Sequence, residues 1–393
     1  MQIKKVGKLK KILSFVHPLH LLAALYVVLV VAAASQSYVL QVKTAPGVPP
    51  PVTKYNNYVI FKYSHFHLLE GKDLYKEYYP EEYWDLYKYS PTFALFFGCF
   101  AWLPNWLGLT LWNLLNAMVF FFAIRFLPGL DEKKKIWILL LSVADVMNSL
   151  QNSQANVLVA GLLLLGFGLF ERKNYFLATF CIVATFYIKI FGVVALILLL
   201  FYPDKGKSIA YALFWVIILW IVPAVITGFS PLLTAYSQYL DMLKNDQSVS
   251  LGLSVMGWLK SWFGLSMSKS VLAISGLILL CVPFLNFKKF ADYSNRILFL
   301  SSLMIWMVIF NHKAESPTFI IATSAVFIWF FSTTKSRINL MMLGFVILFT
   351  TLSSTDLFPL TIRDNIFDPY VIKVVPCILV WVFMVTNLLK TSR

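Results

Sequence analysis

The 393 residues are 59% hydrophobic and only 13% charged, about half the charged share of a soluble domain. A water-soluble fold cannot hide that much apolar surface, so the composition excludes a soluble globular protein and points to one polytopic helical bundle in lipid. The formal charge of +15 is placed along the chain as a topology signal, not as a nucleic-acid footprint, so nucleic acid is excluded as a partner.

The chain opens on a basic run, Lys4, Lys5, Lys8, Lys10 and Lys11. The apolar stretch 19–40 behind it is too long for a signal-peptide core and lacks a cleavage site, so it reads as a retained first helix. Ala45-Pro46-Gly47-Val48-Pro49-Pro50-Pro51 is a stiff, non-helical tether. Positions 58, 59, 61, 63, 66, 68 and 69 are then aromatic or apolar at helical spacing, with Lys62, His65 and His67 interspersed. That pattern predicts a helix lying in the membrane interface, closed by Gly71 as a left-handed cap. An acidic, aromatic stretch follows, from Glu70 and Asp73 through Tyr75 and Trp84 to Asp85, Tyr87 and Tyr89. Segment 91–103 is too short to span a hydrocarbon core and reads as re-entrant.

Further apolar segments fall at 106–127, 136–150, 155–170, 175–188, 190–202, 208–228, 268–285, 296–310, 317–332, 338–355 and 369–389. With the first helix, they predict an all-α membrane protein of about 12 transmembrane helices, a single domain over 1–393. Outer loops at 41–105 and 229–267 complete it. With the N-terminus inside, the inner loops hold 20 of the 33 basic residues against five acids, so the whole positive excess lies on one side. Both termini are then cytoplasmic, and a bacterial inner (plasma) membrane is the expected location. Residues 175–202 would also fit one tilted helix; basic loops at both ends and Lys189 in the middle favour two.

The consecutive segments 136–150, 155–170, 175–188 and 190–202 are short. At about 1.5 Å per residue they reach only about 20–24 Å of a core of about 30 Å. Their outer ends carry Asp145, Asn148, Gln151, Asn152, Ser153, Gln154, Asn156 and Lys189. Polar backbone at that depth is tolerated only where protein or a water-filled cavity covers it. A recessed polar cavity opening outward is therefore expected. The four cysteines, Cys99, Cys181, Cys281 and Cys377, lie in apolar segments and read as buried free thiols. No His/Cys spacing suits a metal site, and no cofactor is expected, with metal dependence left open by the sequence.

Four motifs carry a resemblance. They are Leu69-Glu70-Gly71-Lys72-Asp73-Leu74-Tyr75, Tyr87-Lys88-Tyr89-Ser90-Pro91, Trp102-Leu103-Pro104 and Leu111-Trp112-Asn113-Leu114-Leu115-Asn116. Ser153-Gln154-Ala155-Asn156, Ile188-Lys189 and Asp246-Gln247-Ser248 add to them. Over roughly residues 19–330 the chain resembles glycosyltransferase family 87, a branch of the C-type membrane glycosyltransferases. The first of these turns looks like the family's Gly-Gln-x-Asn, with Ser in place of Gly. The resemblance implies a C-type glycosyltransferase fold. It also implies transfer of one sugar, hexose or pentose, from a polyprenyl phosphate donor to an envelope glycan or glycolipid on the outer face. Membrane lipids, the lipid-linked sugar and that acceptor are the partners it implies.

Such chemistry needs a carboxylate for the acceptor proton and cations on the leaving phosphate. The candidate carboxylates are Glu70, Asp73 and, in reserve, Asp85. The candidate phosphate ligands are Lys189, His312 and Lys313, with a structural pair between Lys189 and Asp145 as the alternative. Asn57, Tyr89, Asp145, Gln154 and Asn156 are expected to line the cavity. Many relatives carry an Asp just before the interfacial helix, where this chain has Asn56 and Asn57. Either another acid substitutes, the reaction is retaining, or activity is lost. A transporter or flippase of a lipid-linked glycan is the alternative from another class, although no paired half-sequences support it.

Overall fold

The computed structural model describes residues 18–40, 53–79, 81–245 and 251–390. The Lys4–Lys11 run, the 45–51 tether and the 246–248 motif lie outside them. The described residues are helical, with no strand among them. The principal helices are α1 (Pro18–Val39), α2 (Asn56–Glu70), α3 (Asn105–Phe126), α4 (Glu132–Gln151) and α5 (Asn156–Glu171). Then come α6 (Tyr175–Ile188), a 3-10 segment (Ile190–Phe201), α7 (Lys205–Ile221), α8 (Phe229–Asn245) and α9 (Val255–Phe263). Helices α10 (Lys269–Cys281), α11 (Tyr293–Ile309), α12 (Ile320–Ser332), α13 (Arg337–Val346) and α14 (Val375–Leu389) complete the set.

Five helical stretches are long and apolar enough to cross a membrane: Pro18–Val39, Asn105–Phe126, Lys205–Thr227, Lys269–Ala291 and Ile372–Leu389. Several leave their apolar side chains uncovered at helical spacing: Val28 and Val31 on α1, Leu213 and Ile217 on α7, Ile274 and Ile278 on α10. A water-soluble monomer rarely exposes so extended an apolar surface; the chain is an integral membrane protein. Behind this lipid-facing ring lie α11 and α12. Every residue from Phe299 to Ile309, and from Phe319 to Phe331, is buried, so these two helices form the centre against which the others pack.

The expected segment boundaries match the helices closely, with two differences. Helix α4 is longer than its apolar part. Asp131 caps it through the Lys134 N–H at 2.8 Å, and its first turn is the polar Glu132-Lys133-Lys134-Lys135. At about 1.5 Å per residue its 20 residues span about 30 Å, so it is not short. The stretch 190–201 is wound as a 3-10 helix, which at about 2.0 Å per residue reaches further than an α-helix of its length. Of the four cysteines expected to be buried, Cys181 and Cys377 are, Cys281 is half-buried and Cys99 is exposed; all four are free thiols.

Residues 175–201 are two elements. Lys189 is extended (φ −139°, ψ 125°), and α6 and the 3-10 segment fold against each other as a hairpin. Gly192 permits this, because a Cβ there would sit 2.6 Å from the Thr185 carbonyl carbon. The turn between α4 and α5 is buried from Ser153 to Ala155, and α3 satisfies it. Trp112 donates to the Ser153 carbonyl at 2.9 Å, Asn113 to the Leu150 carbonyl at 3.2 Å, and Asn116 accepts the Leu158 N–H at 3.1 Å. Unsatisfied, each of these groups would cost several kcal/mol in hydrocarbon. Helix α2 ends as the sequence suggests. Gly71 takes φ 69°, and the Lys72 N–H returns to the His67 carbonyl at 2.9 Å.

Candidate functional site

The two buried turns meet at Lys189. Its ammonium donates to Asn156 Oδ1 at 2.6 Å. Asn156, fully buried, donates through its amide to Gln154 Oε1, and Gln154 Nε2 donates to Glu315 Oε2 at 2.7 Å. A continuous chain of side chains thus links a lysine at the hairpin turn to a carboxylate at the entrance of Ser316–Ser332. The order of donors is dictated. An ammonium has only donors, an amide offers one face of each kind, and a carboxylate only accepts. Ser153, at the tip of the α4–α5 turn, takes φ 53°. That is the left-handed region in which a glycine is unstrained and a serine is not.

The segment between α2 and α3 closes over Lys189. Ser90 Oγ donates to the Tyr187 carbonyl at 2.5 Å and caps the short helix Pro91–Phe96. The Lys189 ammonium lies 5.9 Å from the Tyr89 ring and 5.7 Å from the Phe191 ring. Upstream, Asp85 sits at φ 73° and binds the Lys88 ammonium through both carboxylate oxygens, at 2.8 and 2.9 Å. Glu315 and Asp85 both act on the Tyr89 hydroxyl, and Asp85 and Lys88 both act on Lys313. Lys189 and Glu315 are thus joined through hydrogen bonds, Asp85 and Lys88 form an ion pair, and Lys313 lies within electrostatic range of that pair. The segment between α8 and α9 joins through Gly252. Its φ of 58° and close approach to the His312 carbonyl let Leu253 donate to the Ala314 carbonyl at 2.8 Å.

Of the expected residues, Tyr89, Gln154, Asn156 and Lys189 come together, and Asp85 and Lys313 stand beside them. Asn57 lies at the rim, donating to the Asn152 carbonyl at 2.9 Å. Glu70 and Asp73 belong to a separate cluster at the end of α2. Glu70 pairs with Lys72 at 2.6 Å, which holds its carboxyl below the usual range, and Asp73 accepts the Tyr75 N–H at 2.9 Å. In that cluster His67 Nε2 lies 2.7 Å from Glu82 Oε2. Burial, aided by the Lys72 charge, pushes His67 down to about 4, and burial raises Glu82. His312 is half-buried and also pushed down, by burial and then by Lys269.

Asp145 is buried, and the cation acting on it is Lys373, not Lys189; the ammonium of Lys373 donates to the Thr350 carbonyl and Ser354 Oγ, both at 2.8 Å. Sequence reasoning assigned no role to Lys88, Glu315 or Lys373. Lys373, a charge inside an apolar segment, carried the same signal as Lys189. Glu315 did not, because it sits in a polar turn.

Two kinds of cavity flank the cluster. An apolar one of ≈ 180 Å³ is lined by Phe93, Phe97, Phe100, Trp112, Tyr187 and Ile188, and Phe96 on its edge is 52% exposed. It ends one residue before Lys189. On the far side of Glu315 lie a cavity of ≈ 600 Å³ and a polar one of ≈ 310 Å³. Ser316 belongs to both, and Asn148, Ser354 and Arg363 line the second.

Fold and site together define an integral membrane protein with a charged site sunk between short helices and an apolar groove leading to it. Residues 87–355, just over two-thirds of the chain, match the model of glycosyltransferase family 87, and the chain belongs to that family. It is a membrane glycosyltransferase. No curated protein matches it.

Proposed function

We propose that this glycosyltransferase takes one sugar from a polyprenyl phosphate and passes it to a glycan or glycolipid at the bundle end that holds Lys189. The supporting observation is the position of Lys189: at a turn below the bundle end, with an aromatic groove on one side and the Asn156–Gln154–Glu315 chain on the other. A prenyl chain fits an apolar groove edged by an exposed Phe96. Its phosphate would then meet the ammonium groups of Lys189, Lys88 and Lys313. The acceptor would enter through the hydroxyl-lined cavities beyond Glu315.

Transfer would proceed by attack of an acceptor hydroxyl on the anomeric carbon. The hydroxyl proton passes to a carboxylate, the sugar–phosphate C–O bond breaks, and its electron pair leaves with the phosphate. Glu315 is the better base of the two carboxylates. It faces the 600 Å³ cavity, whereas Asp85 is held by Lys88 and by the Leu86 N–H at 2.7 Å. The cations stabilise the charge that develops on the phosphate. Twelve crossings, a C-type fold and cytoplasmic termini complete the proposal. The five long helices, α4 and the six short apolar helices beyond Ala101 supply that number. The test is release of polyprenyl phosphate by purified protein in nanodiscs, given a panel of polyprenyl phosphate hexoses and pentoses with envelope lipids as acceptors. Turnover of one donor supports the reading. Turnover of nucleotide sugars alone would sink it.

A further inference from the structure

We propose that a second cavity, at the opposite end of the bundle, binds the anionic phosphate headgroup of a membrane lipid. The cavity measures ≈ 440 Å³ and lies where α5 and the 3-10 segment end and where α6, α7 and α11 begin. Helix α5 runs from Asn156 in the transferase site to Glu171 in this cavity, 16 residues or about 24 Å away. The two sites thus lie at opposite ends of the bundle.

Its lining has two parts. The charged part is Lys173, Lys205, Lys288, Arg296 and Glu171. Arg296 and Glu171 cancel each other. Nε donates to Oε1 at 2.7 Å and Nη2 to Oε2 at 2.8 Å, a two-point pair that Tyr202 completes with a hydroxyl bond to Glu171 at 2.7 Å. That leaves three lysines, all exposed and none in an ion pair among the described residues. Asp204, whose carboxylate lies against the Tyr175 hydroxyl of the wall, and Asp292, next to Ala291, offset part of this charge, but the three lysines outnumber them and the cavity stays cationic. The second part is aromatic: Phe170 stacks on Tyr202 at 4.8 Å and Phe201 on Phe290 at 4.3 Å. Leu200 and Phe287 at the edge are exposed.

A cationic rim over an aromatic wall that opens sideways onto apolar surface matches an amphiphile with an anionic head. A soluble phosphate would use the lysines and leave the wall uncovered. The placement also agrees with physics: basic pockets between helix ends at the membrane surface draw anionic headgroups, each lysine contributing on the order of 1 kcal/mol. The inference is independent of the transferase reading, because it uses other residues at the other end of the bundle.

Native mass spectrometry of the full chain with phosphatidylglycerol and phosphatidylcholine of matched acyl chains tests it. The wild type should retain phosphatidylglycerol in preference. The triple substitution Lys173→Gln, Lys205→Gln and Lys288→Gln keeps the apolar stems and should weaken that binding more than about tenfold. The pair Lys133→Gln and Lys134→Gln, basic but outside this cavity, should change it less than about twofold. If the triple variant does not purify, Lys288→Gln alone, at an exposed position, should cost about fivefold. Equal loss in the control pair, no preference in the wild type, or unchanged binding in the lysine variants would overturn the proposal. Displacement of phosphatidylglycerol by an equal concentration of inorganic phosphate would also overturn it, by making the ligand a soluble anion.

Discussion

Asn56 holds the Trp84 peptide from both sides. Its Nδ2 donates to the Trp84 carbonyl at 2.6 Å, and its Oδ1 accepts the Trp84 N–H at 3.1 Å. An amide offers a donor and an acceptor on adjacent atoms, whereas a carboxylate only accepts. The clamp fixes the residue that precedes Asp85, so Asn56 has a structural use here. Asn57 is similarly occupied by the Asn152 carbonyl.

Asn56→Asp would set a carboxylate oxygen against the Trp84 carbonyl. We expect it to lower the stability of the protein by about 1 kcal/mol, and to lower transfer rather than restore it. Thermal melting in nanodiscs and the donor assay measure the two effects. A gain in turnover would show that an acid at this position serves as base and that Glu315 does not.

The proposed roles separate in kinetics. Glu315→Gln should cut turnover by about 10²–10⁴-fold with donor binding largely kept, because general-base catalysis contributes on that scale. Lys189→Ala should weaken donor binding, since it removes charge from the phosphate. Asp85→Asn should have the smaller effect on turnover, its carboxylate being paired with Lys88. If Glu315→Gln keeps full turnover and Asp85→Asn, Glu70→Gln or Asp73→Asn loses it, the base is in the segment between α2 and α3.

Ser153→Gly should stabilise the protein. Serine pays about 1–2 kcal/mol for the left-handed region, and its hydroxyl is buried without a hydrogen-bond partner. The greater freedom of glycine in the unfolded chain returns about 0.4–1 kcal/mol of this. A net gain below about 1 kcal/mol is expected, read as a higher melting temperature. A lower one would mean that the hydroxyl has a use the structure does not reveal.

The burial of His67 predicts a pH response of the segment around α2. His67 is pushed down to about 4 in the folded protein, against an ordinary value near 6.5. Between these values the unfolded chain binds a proton that the folded one refuses. Folding stability from this group is therefore complete above about pH 6.5 and falls as pH drops toward 4. Glu82, raised by burial, acts in the opposite sense, so the comparison must isolate the histidine. The melting temperature of His67→Gln should rise relative to wild type as pH falls from 7 to 5. A constant difference would remove His67 as the cause.

Much of the architecture was legible because lipid imposes simple rules. Segment ends at Glu171, Tyr175 and Ser332 follow directly from hydropathy and basic loops. Lys189 stood out as a charge in an apolar run, and the break at 189 followed from it. The outer loops were less legible. Nothing local tells that the chain from Asn56 to Trp84 doubles back until Asp85 stands beside Lys313 while Glu70 and Asp73 remain at the end of α2. That outcome depends on contacts such as Asn56 to Trp84 and Ser90 to Tyr187, between residues 28 and 97 positions apart. Glu315 was hidden for a related reason. In a polar turn a carboxylate has no hydropathy contrast, and only its hydrogen bond to Gln154 marks it.

The hairpin that carries Lys189 also has a consequence for biogenesis. Its arms, 14 and 12 residues long, are each too short to settle as independent spans. An ammonium at their turn opposes insertion by about 2.5–3.5 kcal/mol if it must lie in bare hydrocarbon. The acceptor that relieves it, Asn156, belongs to the helix made just before. The two arms are therefore expected to leave the translocon together and late, after α5 is in place, with the lysine handed from water to amide in one motion. Truncated chains ending between 190 and 200 should be extracted from membranes more easily than chains ending after 221. The residue best suited to hold a phosphate is also the one that sets the order in which this part of the bundle is built.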